Sequence, residues 1–329
     1  MRHEGSFYEV IEYSTNALIE KLVQYGYEFS DKQDVENKSQ TQYFKEYFDA
    51  IKPKTIIVET NFIDANYLDD FASFHVKCFA NYKKTTTRFF FFAEQLSSAE
   101  FDTLLREGAS KQPAIKEKIR TSYIGNIVVR PLPRREFGKT ILKTYKDIPL
   151  NDPASHERRY PVGTICKSNL CGIPLEVNSV PFQEQDSSVS ACATSAVWSV
   201  LSTTASLFNH PVLSPYTITQ VATDGISGTD WAARDFPNQG LTAGQILQAL
   251  KHVNLEPHSI SLNDRLGGEK KSLFQEMSLF KEYIYSYLEC GIPLILGIKL
   301  CKTQQSEISN NSIGWTNVGC HAVVVTGMV

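Results

Sequence analysis

One stretch, residues 183–198, decides how this chain is interpreted, and it reads Q-E-Q-D-S-S-V-S-A-C-A-T-S-A-V-W. Its first half is polar and turn-prone, whereas the residues after Cys192 are small and then apolar, as in a buried helix. The pattern predicts that Cys192 lies in the first turn of that helix. Unpaired backbone N–H groups and the positive end of the helix dipole favour a thiolate there. Cys192 is therefore a candidate nucleophile.

A candidate proton carrier lies far downstream. His321 opens an apolar run, residues 321–327, which reads H-A-V-V-V-T-G and is typical of a buried strand. An imidazole titrates near neutrality, so it can pair with a thiolate and return a proton to a leaving group. Gln185 lies just upstream of Cys192. Its amide is a candidate oxyanion donor, with the backbone N–H of Cys192 as the companion donor.

Four segments carry a resemblance to a known fold. They are residues 185–198, 241–246 (L-T-A-G-Q-I), 290–295 (C-G-I-P-L-I) and 321–327. Together they resemble the papain-like cysteine peptidases and are most similar to the C39-like, bacteriocin-processing type. The resemblance covers about residues 183–329, under half of the chain. It implies a Cys192 nucleophile, a His321 base and a Gln185 oxyanion donor acting on a protein or peptide substrate.

The chain departs from that family in two ways. Ala193 follows the cysteine where the family commonly has Gly, although the small size is retained. The family's Asp or Asn that orients the imidazole follows the His strand by a dozen or more residues, and this sequence stops at Val329, eight residues after His321. We expect a C-terminally truncated core whose orienting residue lies beyond Val329. The alternative is that another residue of the chain orients His321.

Each candidate residue also has an ordinary structural interpretation. Cys192 can be a small core residue, and His321 a satisfied residue at the start of a buried strand. Gln185 can be a turn residue, and Gln183 competes for its role. Two functions therefore stay open. One is a cysteine peptidase or a related amide hydrolase or acyltransferase, and the other is a non-catalytic interaction protein that retains a papain-like scaffold.

The rest of the chain suggests two further segments. Residues 1–118 alternate helix and strand patterns and predict an α/β recognition or scaffold module with an at least partly parallel sheet. Its first helix is expected over Glu9–Tyr25, and a strong strand candidate, rich in aromatics, covers Arg88–Ala93. Residues 119–182 predict a β-rich segment packed on the core.

The composition of the chain limits the classes of partner and cofactor that we expect. The 329 residues carry 33 Lys and Arg against 36 Asp and Glu, so the net charge of −3 does not call for nucleic acid. The sequence shows no signal-peptide core and no apolar run long enough for a membrane helix, which predicts a cytoplasmic protein. Seven scattered cysteines do not form a disulfide framework, and Cys166 and Cys171 have no second pair for zinc. We therefore expect no metal and no cofactor.

Overall fold

The chain contains both helices and strands in a computed structural model that describes residues 7–28, 30–144, 158–186, 188–224, 236–237, 240–260, 277–304 and 314–328. Its contacts divide it into two compact units. The first comprises Met1–Gln185 with Gly327–Val329, and the second comprises Asp186–Thr326. No helix among the described residues is long and apolar enough to cross a bilayer.

The first unit is built on a five-stranded sheet whose spatial order follows the chain. The strands are β1 (Tyr8–Glu12), β2 (Thr55–Phe62), β3 (Thr86–Phe92), β4 (Tyr123–Val129) and β5 (Phe137–Leu142). The helices between them are α1 (Thr15–Tyr25), α2 (Lys32–Glu36), α3 (Ser39–Ile51), α4 (Ala65–Ser73), α5 (Ser98–Glu107) and α6 (Pro113–Ser122).

Hydrophobic cores cover both faces of this sheet. Alternate residues of β3 belong to different cores: Phe89 and Phe91 to one, and Phe90 and Phe92 to the other. Because successive side chains of a strand point to opposite faces, burial on both faces requires a continuous apolar run, which is the pattern that identified β3 in the sequence.

Two sequence expectations for this unit are wrong. Every neighbouring pair in the sheet is antiparallel, so the expected parallel pairing is absent from it. An intervening helix permits a parallel crossover but does not require one, because the chain can return to the end of the sheet that it left. The first helix begins at Thr15 rather than Glu9, since Ser14 caps it by accepting the N–H of Ala17. Val10 and Ile11 lie in β1.

A hairpin completes the first unit. Its strands are β6 (Thr164–Leu170) and β7 (Ile173–Ser179), and alternate residues of β7 are buried. The predicted boundary at residue 118 falls inside α6, and β4 and β5 extend the sheet of β1–β3. The structure therefore places the predicted module and the predicted β-rich segment within one unit, Met1–Gln185 with Gly327–Val329.

The second unit packs helices against a two-stranded ribbon. Its helices are α7 (Cys192–Phe208), α8 (Pro215–Thr223), α9 (Ala243–His252) and α10 (Met277–Glu289), and its strands are β8 (Leu294–Gln304) and β9 (Gly314–Val325). The core combines Trp198, Leu201, Ile218 and Leu250 of the helices with Val324 of the ribbon, among other apolar residues. Thr242 caps α9: its hydroxyl accepts the N–H of Gln245, and the Gln245 side chain accepts the N–H of Thr242.

Candidate active site

Cys192 is the first residue of α7, as its sequence context predicts. Ala191 precedes it at the N-cap and offers no side-chain acceptor to the helix. Six other helices begin with an acceptor side chain, from Ser14, Asp31, Asp64, Ser97, Ser214 and Thr242. The first turn of α7 therefore presents N–H groups that no capping side chain occupies, and the Cys192 side chain beside them is half-buried.

A tight turn fixes the backbone just before Cys192. One carboxylate oxygen of the buried Asp186 accepts the N–H groups of Ser188 at 2.8 Å, Val189 at 2.6 Å and Ser190 at 2.9 Å. The N–H of Asp186 in turn donates to the carbonyl of Ser190 at 2.8 Å. An aspartate that holds three successive N–H groups sets the path of the chain into the helix.

Hydroxyl groups anchor this turn to α7 and α8. The hydroxyls of Ser190 and Ser195 lie 2.8 Å apart, and those of Thr194 and Thr219 lie 3.2 Å apart. The Thr219 hydroxyl also donates to the carbonyl of Val189 at 3.1 Å. The residues on both sides of Cys192 are thus held in position by groups inside the second unit.

His321 lies in β9, opposite Ile298 of β8. The register is unbroken from Gly319 to Val325, and Val324 packs against the core formed by α7, α8 and α9. Side chains alternate along a strand, so His321 lies on the opposite face of the ribbon from Val324. No hydrogen bond joins the described residues Cys192 and His321. The pairing of Cys192 with His321 as nucleophile and base stays a prediction.

Gln185 is the last residue of the first unit before Asp186, and its side chain is exposed. Gln183, its competitor, is half-buried. Neither position tests the oxyanion role, which stays a prediction. The residue between them, Glu184, is fully buried and belongs to a network that the sequence did not reveal.

This network surrounds the Glu184 carboxylate with cations. Lys38 and Arg135 each approach it to 3.3 Å, and the N–H of Phe137 donates to it at 3.2 Å. The guanidinium of the buried Arg130 donates to the Glu184 carbonyl at 3.0 Å. The segment that ends the first unit is therefore locked by charge-assisted hydrogen bonds.

Glu136 adds a second buried carboxylate to this network, bound to Lys38 and to the hydroxyl of Ser30 at 3.0 Å. Lys38 lies 98 residues from Glu136 and 146 from Glu184 in the sequence. No local motif could signal such a contact.

The other cysteines of the chain lie in different surroundings. Burial raises the thiol pKa of both Cys166 and Cys171 to about 11, which opposes thiolate formation in the β6–β7 hairpin. Cys290 and Cys320 are exposed. Among the described residues, no group of three or more His, Cys, Asp or Glu is arranged to hold a metal ion.

Comparison with known proteins leaves this geometry as the basis for function: no family model, no curated protein and no solved structure matches the chain.

Proposed function

We propose that Cys192 is the nucleophile of a papain-like cysteine hydrolase or acyltransferase that acts on amide bonds of a protein or peptide. The observation that supports this most is the start of α7. Its first turn has no capping side chain, Cys192 is its first residue, and the Asp186 turn holds the preceding backbone. Such a helix start favours a thiolate and offers N–H groups to a developing oxyanion.

In the proposed reaction the Cys192 thiolate attacks the substrate carbonyl carbon, and a C–S bond forms. The carbonyl oxygen becomes an oxyanion that accepts the backbone N–H of Cys192, with Gln185 as the second donor implied by the sequence resemblance. Collapse expels the amine, which needs a proton, and leaves a thioester. Water or an acceptor amine then releases the acyl group.

The proton carrier is the demanding part of the proposal. His321 is assigned by the sequence resemblance, and it lies on the opposite face of the ribbon from Val324, which packs on the helical core. A shift of β9 by one residue would exchange the faces of every side chain in it. Catalysis by this pair requires the imidazole to reach Cys192; otherwise another group must protonate the leaving amine.

The position of His321 on the ribbon face opposite Val324 favours a second candidate function, a non-catalytic interaction protein with a papain-like scaffold. In that case Cys192 is a small helix residue, and His321 has no role in proton transfer. In either case we propose that the α/β region, residues 1–118, contributes recognition or scaffolding rather than catalytic groups.

Site-resolved alkylation distinguishes the two functions. Iodoacetamide is applied to the full chain across about pH 5–9, the range in which His and Cys titrate, and each cysteine is followed by mass spectrometry. Cys290 and Cys320 are exposed and serve as reference thiols within the same molecule. For an enzyme we expect Cys192 to react at least about tenfold faster than either reference at pH 6.

The variants His321→Ala and Cys192→Ser complete the test. If His321 pairs with the thiolate, His321→Ala removes the acidic inflection of the Cys192 rate profile, and Cys192→Ser abolishes amide cleavage or transfer. If Cys192 reacts no faster than Cys290 at every pH and His321→Ala changes nothing, the interaction protein is supported and the nucleophile proposal fails.

A further inference from the structure

The two edge strands of the five-stranded sheet, β1 and β5, differ in whether their outer backbone groups are hydrogen-bonded. The outer edge of β5 is covered by the chain that follows β7. Thr140 exchanges two backbone hydrogen bonds with Phe182, and the N–H of Glu184 donates to the carbonyl of Phe137. Covering an edge in this way prevents it from pairing with another strand.

The opposite edge, β1, is open in the part of the chain that the structure describes. At its two ends, Tyr13 donates to Lys54 and Thr60 donates to Phe7, each at 2.9 Å. Residue pairs in an antiparallel ladder alternate between hydrogen-bonded and non-hydrogen-bonded. Because Phe7 and Tyr13 are both hydrogen-bonded to the β2 side, the odd-numbered residues of β1 direct their backbone groups toward β2. The N–H and C=O groups of Val10 and Glu12 therefore point outward, and no described residue hydrogen-bonds to them.

Both faces of this edge also leave apolar surface partly uncovered. Val10 packs on one core and Ile11 on the other, and both side chains are only half-buried. The strand contains no Lys or Pro, which commonly block edge pairing, and its charged residues are Glu9 and Glu12. The charge of Glu9 is offset by Lys21, whose ammonium lies 2.7 Å from its carboxylate.

We propose that β1 pairs with β1 of a second copy of this chain, antiparallel about a two-fold axis at Ile11, so that two five-stranded sheets join. In this register Val10 of each copy faces Glu12 of the other as a hydrogen-bonded pair, and Ile11 faces its own symmetry mate. The outward groups of both residues are satisfied, and no carboxylate lies directly opposite another. The proposal does not rest on the function of Cys192.

The choice of a second copy follows from this self-complementarity. An isologous contact requires the same strand to serve as both template and partner, and β1 meets this requirement with matched hydrogen bonds and an apolar pair at its centre. An extended segment of another protein is the alternative occupant, and the test separates it.

The test uses sedimentation of the full chain over about 1–200 μM. We expect a monomer–dimer equilibrium between 37.0 kDa and twice that mass. Val10→Pro removes an outward N–H while leaving the β1–β2 hydrogen bonds of Glu9 and Ile11 intact. It should weaken dimerisation roughly tenfold or more, because two symmetry-related bonds are lost. The matched control Val10→Thr keeps the N–H and the β-branch and should change the dimer dissociation constant by less than about twofold.

Amide hydrogen exchange of the wild-type chain gives a second readout that needs no variant. We expect the amides of Val10 and Glu12 to be protected in concentrated solution and to exchange rapidly on dilution, whereas the amide of Ile11 stays protected throughout. A wild-type chain that is monomeric at every concentration overturns the proposal and leaves the edge to another occupant. A dimer unaffected by Val10→Pro, with exchange at Val10 independent of concentration, overturns it as well.

Discussion

The five-stranded sheet and the β8–β9 ribbon show how differently two β-structures fix the direction of a side chain. In the sheet, neighbouring residues such as Phe89 and Phe90 are both fully buried, because each face has its own core. In the ribbon, the helical core takes up Val324 and its partner Ile295 from one face. A face that is buried against a core specifies the register of a strand, because a slip of one residue would move its apolar side chains out of that core. The candidate His321 lies in the ribbon, on the face opposite Val324.

The largest effect is expected at the closed edge of the sheet. Glu184→Ala removes a buried carboxylate that Lys38, Arg135 and the N–H of Phe137 share. Breaking a buried ion pair from one side costs about 3–5 kcal/mol, so the free energy of unfolding in urea should fall by that amount. The control is Arg134→Ala, which breaks an exposed contact with Asp34 and should cost under about 1 kcal/mol. Equal losses for the two variants would show that the network contributes no more than a surface pair.

Substitutions in the β8–β9 ribbon should lower the free energy of unfolding by less, and the loss should depend on which face of the ribbon the side chain occupies. Val324→Ala removes apolar contacts with the helical core and should lower the free energy of unfolding by about 1–2 kcal/mol. His321→Ala, on the opposite face, should change it by less than about 0.5 kcal/mol. Thermal or denaturant unfolding of both variants measures the difference. A larger loss for His321→Ala would mean that the imidazole, not Val324, faces the core.

This comparison also explains what the sequence could predict. Local signals succeeded: the small-then-apolar run placed Cys192 at a helix start, and the aromatic run at Arg88–Ala93 predicted the strand β3. The run that follows His321 predicted a strand, but a continuous apolar run carries no information about which side chain faces which core. Long-range contacts left no signal either, because Lys38 and Glu184 meet across 146 residues of sequence. The prediction of parallel strands was wrong for a related reason, because an intervening helix is compatible with parallel and with antiparallel pairing.

The two units also differ in how their helices begin, and an N-cap contributes about 1 kcal/mol to the free energy of unfolding. In α5, the Ser97 hydroxyl accepts the N–H of Glu100, and the Glu100 carboxylate accepts the N–H of Ser97. A hydrogen bond from Lys118, with that of the Ser97 N–H, lowers the pKa of Glu100 from 4.5 to about 2. Ser97→Ala should cost about 0.5–2 kcal/mol of stability at neutral pH.

The lowered pKa of Glu100 gives this cap a defined pH dependence. A carboxylate with a depressed folded-state pKa contributes its full stability above pH 4.5 and loses it as the pH falls toward 2. Glu100→Gln should therefore reduce stability at pH 7 and flatten the acid loss between about pH 4.5 and 2. Urea titrations of both proteins at several pH values measure it, and parallel acid losses would exclude a role for Glu100.

The smallest effect should come from supplying α7 with the cap that it lacks. Ala191 has the extended backbone typical of an N-cap residue, with φ −63° and ψ 173°. Ala191→Ser adds a hydroxyl that can accept the N–H of Thr194, which should raise the free energy of unfolding by about 0.5–1 kcal/mol. The same bond withdraws one N–H from the helix start that is proposed to stabilise the Cys192 thiolate. Stability should therefore rise while the alkylation rate of Cys192 at pH 6 falls, with Cys290 unchanged as the internal reference.

The control variant Ala191→Gly adds no acceptor, so it separates the effect of the hydroxyl from that of a change in backbone freedom. If Ala191→Ser stabilises the protein and leaves Cys192 reactivity unaltered, the open helix start does not activate the thiol, and the absence of a cap is a matter of stability alone.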